Sequence, residues 1–149
     1  MYKIMLALHL VAVVFAIGPL VHATTTAARG LRTADATATA GSARTATLYS
    51  YASLLVVIFG FGTMSATSPF THKKVADFGD TWIWLSVLLW VVAVALTLGL
   101  VVPALQQATT RIGAGESVDN LKAKVAAGGG IVGLIFAGIV FLMVYRPGS

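Results

Sequence analysis

Four stretches of this chain contain no Asp, Glu, Lys or Arg: residues 4–28, 45–72, 81–110 and 125–145. A helix crosses the roughly 30 Å hydrocarbon core of a bilayer with about 20 mostly apolar residues, and each stretch is long enough. All ten basic and all five acidic residues fall in the gaps between them. The pattern predicts an all-α fold, a four-span transmembrane helix bundle with almost no soluble part. Only 10% of residues are charged, against about 25% in an ordinary soluble domain. The 149 residues form a single transmembrane domain, 1–149. A bundle of this size leaves much of its surface facing lipid or another protein.

The spans are expected at 2–22, 48–66, 82–102 and 125–145. Lys3, an apolar run and Val21-His22-Ala23 before Thr24 resemble a signal peptide; the segment is read as a true first span or an uncleaved signal anchor. Gly18-Pro19 is placed to kink span 1. Ser68-Pro69 is expected to stop span 2, Pro103 span 3, and Arg146-Pro147-Gly148-Ser149 ends the chain. The Ala-, Thr- and Arg-rich hairpin loop 24–47 is too polar to span. It is either a helical extension of both neighbours, turning near Gly30 or Gly41, or flexible.

With four spans, both termini share one side. That side holds Lys3, Lys73, Lys74 and Arg146; the other holds Arg29, Arg32, Arg44, Arg111, Lys122 and Lys124. The excess of basic residues places the second side in the cytoplasm and both termini outside. Tyr2, Phe70, Phe78, Trp82, Trp84 and Tyr145 form an interfacial aromatic belt on the terminal side, with Tyr2, Trp82, Trp84 and Tyr145 as the anchors. The net charge of +5 is scattered through short loops, which suits anionic phospholipid and is no nucleic-acid signature. An internal similarity pairs Pro19-Leu20, Ala23-Thr24-Thr25 and Arg29 with Pro103-Ala104-Leu105, Ala108-Thr109-Thr110 and Arg111; spans 2 and 4 share Ile58-Phe59-Gly60 and Ile135-Phe136-Ala137. Two parallel helical hairpins would give it, and so would simple Ala/Thr/Val bias.

Candidate chemistry is sparse. Gly129, Gly133 and Ala137 recur at four-residue spacing in span 4, with Ala126 and Gly130 alongside and a matching narrow face at Ala12 and Ala16 in span 1. Small side chains let helices approach closely in lipid, either within this bundle or against another protein. His9 is the one ionisable residue clearly inside a span, a functional candidate or a neutral imidazole hydrogen-bonded to a neighbouring helix. His9 with Met64 and Met143 makes a candidate copper or haem ligand set, since imidazole and thioether suit Cu(I); bis-histidine haem needs a second histidine at the same depth, which His9 lacks. Apart from Lys3 at the very start of span 1, no carboxylate, Lys or Arg lies in a span, so the usual proton-relay and ion-coupling groups are missing. Ser53, Thr63, Ser65, Ser86 and Thr97 serve local backbone groups. The glycines at 113–115 and 128–130 follow no strand and form no phosphate loop. The chain has no cysteine, which excludes disulfide and thiolate chemistry. The residues thus predict no enzyme, no cofactor and no metal site, with a haem- or copper-handling membrane protein using His9 and the nearby methionines as the alternative.

The run Leu8-His9-Leu10 with Phe15-Ala16-Ile17-Gly18-Pro19 resembles the first helix of a broad group of small four-helix bacterial integral membrane proteins. Remote members are of copper-resistance and haem-synthesis-associated type, in which the histidine precedes a Trp-x-Gly-Gly-like element. Here Phe15 stands near the tryptophan position and Pro19 at the second glycine. The four-span layout and the segment Phe78-Gly79-Asp80-Thr81-Trp82-Ile83-Trp84 through Val102-Pro103 are similar to the respiratory supercomplex association factors of actinobacteria, accessory components of the mycobacterial cytochrome bcc–aa3 assembly. That resemblance implies a non-catalytic subunit of the inner membrane. It would stabilise or assemble an electron transport chain complex by packing against redox subunits, without binding haem or copper itself.

Overall fold

A computed structural model of the chain describes residues 1–67, 69, 72 and 74–147. Four helices dominate it: α1 (Tyr2–Arg32), α2 (Ala36–Met64), α3 (Thr81–Gly113) and α4 (Asp119–Tyr145). The chain is 84% helical with no strand among the described residues; Thr67 and Lys74 form one isolated antiparallel bridge in the α2–α3 loop. At 27 to 33 residues, the helices are about 40–50 Å long, longer than the hydrocarbon core. They are long and apolar enough to cross a membrane, so this is a multi-pass membrane protein.

The two prolines at the expected ends of spans 1 and 3 do not end their helices. Proline lacks an N–H, and its ring crowds the carbonyl four residues earlier. Each helix absorbs this with a π-helical turn, Val13–Ile17 in α1 and Thr97–Val101 in α3. There the backbone N–H of Gly18 bonds to the Val13 carbonyl and that of Val102 to the Thr97 carbonyl, five residues back. The wider turn makes room for Pro19 and Pro103, and α3 runs on to Gly113. Such π insertions are rare and local; here each hairpin has one, in its first helix.

Segment 24–47 is helical on both arms, as its alanines favour. The turn falls at Thr33-Ala34, with Ala34 at φ +51°, and Asp35 caps α2 by accepting from the Ala38 N–H at 2.9 Å. It does not fall at the glycines. Gly30 is buried in α1 where Thr39 and Ala38 press close, and Gly41 lies inside α2. Ser68, Phe70, Lys73, Gly148 and Ser149, to which the sequence reading gave loop, belt or terminal roles, lie outside the described residues.

The helices form an up-down-up-down ring. α1 packs along α2, the second half of α1 packs on α4, the first half of α2 on the second half of α3, and the first half of α3 on α4. The main core sits towards the loop end, where Leu20, Leu31, Leu105, Val125 and Val132 are fully buried. In lipid no water is expelled on closing a bundle, so packing and interhelical hydrogen bonds hold it. A smaller cluster of Met64, Ala76, Trp82 and Ile83 closes the terminal end, joined by Phe61 and Met143. The first half of α1 is peripheral. Of Tyr2–Ala12 only His9 is buried.

Candidate functional site

His9 is held by α2. Its Nδ1 lies 2.9 Å from the Val56 carbonyl oxygen, which requires Nδ1 to carry the proton and donate. The ring rests on Gly60, where a Cβ would come within 3.2 Å of Cε1. One turn nearer the terminal end, Met5 lies against Gly62 in the same way. The absence of side chains at Gly60 and Gly62 therefore makes room for His9, the one buried side chain of Tyr2–Ala12, and for Met5 beside it.

Of the three candidate ligands, Met64 and Met143 share one cluster and His9 rests one turn away along α2. Met64 and Met143 join the cluster around Trp82, whereas His9 sits at Val56 and Gly60. Along α2, Gly60 and Met64 are about 6 Å apart and Val56 and Met64 about 12 Å. Among the described residues no three His, Cys, Asp or Glu side chains gather.

The small-residue face of α4 divides in two. Gly129 is buried, and a Cβ there would fall onto the Thr24 carbonyl of α1; Gly133 lies beside Thr25 and Val21. Gly128 faces Leu100 and Val101 of α3. Ala126, Gly130 and Ala137 instead point outward, and nothing lies within 4 Å of where a Gly130 side chain would begin. Positions four apart drift by about 40° around a helix, so one stripe cannot stay on one neighbour. Gly129 and Gly133 of α4 meet Val21–Thr25, not the face expected at Ala12 and Ala16. Ala16 is buried and Ala12 half-buried, in the part of α1 that lies against α2.

The aromatic anchors also divide. Trp84 and Tyr145 are exposed, Trp84 donating from Nε1 to the Phe78 carbonyl at 2.8 Å and Tyr145 stacking on Phe141. Trp82 turns inward, because residues two apart point to opposite sides of a helix. The Arg146 guanidinium lies 5.6 Å above its ring and reaches the Val75 carbonyl at 3.4 Å, tying the end of α4 to the α2–α3 loop. The Trp82 Nε1 is buried without a hydrogen-bond partner, as is the Ser50 hydroxyl.

Sequence reasoning missed the polar links between α2 and α3. Trp90 donates from Nε1 to the Ser53 hydroxyl at 3.0 Å, while Ser53 donates to the Ser50 carbonyl. The Thr109 and Thr39 hydroxyls meet at 3.0 Å. No spacing rule reveals such pairs, since each joins residues far apart in the chain. These features define an all-α, four-span membrane protein in which His9, Thr39 and Ser53 bond between helices while Thr24, Thr63, Ser86 and Thr97 bond to the carbonyls of their own helix. Comparison with protein-family models, with curated proteins and with solved structures found no match.

Proposed function

We propose that this chain is a non-catalytic accessory subunit of a bacterial respiratory supercomplex. In this reading it packs in the inner membrane against redox subunits of the cytochrome bcc and aa3 type, with both termini outside. The observation that carries the reading is the outward face of α4. Ala126, Gly130 and Ala137 lie exposed beside Ile131, Leu134 and Phe141. Small residues on a lipid-facing helix admit a second backbone at close range, and flanking large side chains can pack around it. The sequence resemblance supplies the identity of the partners.

The position of His9 is in keeping with this role. Its Nδ1 proton is engaged by the Val56 carbonyl of α2, the interhelical bond of a structural histidine; the same bond leaves Nε2 unprotonated, so metal and haem analysis of the purified protein separates this role from the copper or haem alternative. Deleting the chain from its host tests the proposal. Native gels should show the supercomplex reduced or redistributed into smaller assemblies, and unchanged assembly with unchanged oxygen consumption would overturn it.

A further inference from the structure

At the loop end, α2 and α3 leave an open groove of about 560 Å³, within the size range of small-molecule clefts. Its floor is shallow because α2 contributes Ala43 there, and its upper edge is fixed by the Thr39–Thr109 contact. Arg44, Leu48 and Tyr51 stand along one side at i, i+4 and i+7, and Gln106 faces them from α3. All four are exposed.

The groove changes character with depth. About 30 Å of helix separates Met64, at the terminal end of α2, from Arg44. That is the thickness of the hydrocarbon core, so Arg44 and Gln106 lie at the headgroup boundary. Tyr51 lies about 10 Å deeper along α2, with Leu48 between. A cationic and amide-bearing mouth therefore opens above an apolar trough. No acidic side chain lines the groove, and Arg44 has no carboxylate partner among the described residues. A neighbouring recess of about 330 Å³ at the α1–α2 turn differs in this respect, because Asp35 lies beside Arg29 there.

We infer that this groove binds one anionic phospholipid, its phosphate on Arg44 and Gln106 and an acyl chain along Leu48 and Tyr51. A guanidinium donates two parallel hydrogen bonds to a phosphate, and basic pockets between helices at the membrane surface are suited to anionic headgroups. The inference is independent of the proposed supercomplex role, because it concerns the isolated chain.

Native mass spectrometry of the purified full chain, equilibrated with equal amounts of phosphatidylglycerol and phosphatidylcholine of the same acyl length, tests it. Wild type should retain phosphatidylglycerol preferentially. Arg44→Gln, an exposed change that leaves packing alone, should lower that preference about fivefold, the effect of one basic residue near a membrane surface. Lys124→Gln, an exposed change at the same end but outside the groove, should leave it as in wild type. A large excess of inorganic phosphate should not displace the lipid. Equal retention of the two lipids, an unaffected Arg44→Gln protein, an equal loss in Lys124→Gln, or displacement by phosphate would each overturn the assignment.

Discussion

Gly129 and Gly130 are adjacent in α4, yet substituting alanine at each should have opposite effects. At Gly129 the new Cβ would be 2.7 Å from the Thr24 carbonyl carbon and nearer still to its oxygen. The hydrogen that glycine carries in that direction points at the carbonyl, an arrangement worth about 0.5–1 kcal/mol between close helices. Because the obstacle is backbone, no rotamer change relieves it, and α4 must move from α1. A gap of about 0.5–1 Å forfeits roughly a quarter to a half of each contact's attraction. Overpacking of this kind costs about 2–3 kcal/mol, the upper part of its usual range. Alanine also gains about 1 kcal/mol over glycine in helix propensity, so Gly129→Ala should be net destabilising by about 1–2 kcal/mol. Gly130→Ala meets nothing within 4 Å and should be stabilising by up to about 1 kcal/mol. The propensity gain is common to both, so the difference of about 2–3 kcal/mol isolates the helix contact. Reversible unfolding in mixed micelles, followed by circular dichroism, measures it. Equal stabilities for the two variants, or a larger loss at Gly130, would refute the packing argument.

Further outcomes follow from single contacts. His9→Leu should lose about 0.6 kcal/mol, the average for an interhelical hydrogen bond in a membrane bundle, whereas His9→Gln should lose less; equal losses in the same unfolding assay would mean that the 2.9 Å bond to Val56 contributes nothing. Trp90→Phe removes the donor to Ser53 and should cost a similar amount, about 0.6 kcal/mol, while Trp84→Phe, whose ring is exposed, should cost less. For orientation, an impermeant thiol reagent on intact cells should label Lys3→Cys and spare Glu116→Cys; the reverse pattern would invert the topology.

The four spans were legible because lipid imposes a long, uncharged signature that local detail cannot hide. The limits of the helices were less so. Pro103 reads as a stop in any soluble helix, and only the π turn at Thr97–Val101, a tertiary accommodation with no sequence signature, lets α3 continue. Likewise the turn at Thr33-Ala34 was masked by two nearby glycines that serve close packing and helix interior instead. Small residues at 126–137 announced a packing face, but not which of them faced inward, because the four-residue stripe winds around α4 and the choice depends on where α1 diverges. Trp82 and Trp84 read alike in sequence and point apart in space. The Arg44 groove needed α3 to be placed beside α2, since Gln106 is distant from Arg44 in the chain.

In the proposed role, the outward face of α4 joins this chain to a membrane-bound redox assembly. The most direct measurement is a reduced-minus-oxidised difference spectrum of material isolated in mild detergent through a tag on this chain, wild type beside Gly130→Leu. Wild-type material should carry haem signals of the bcc and aa3 subunits, and the Gly130→Leu material should lose them while the variant itself stays folded. A haem-free wild-type isolate, or haem that stays with the chain after every other subunit has been stripped away, would contradict the claim.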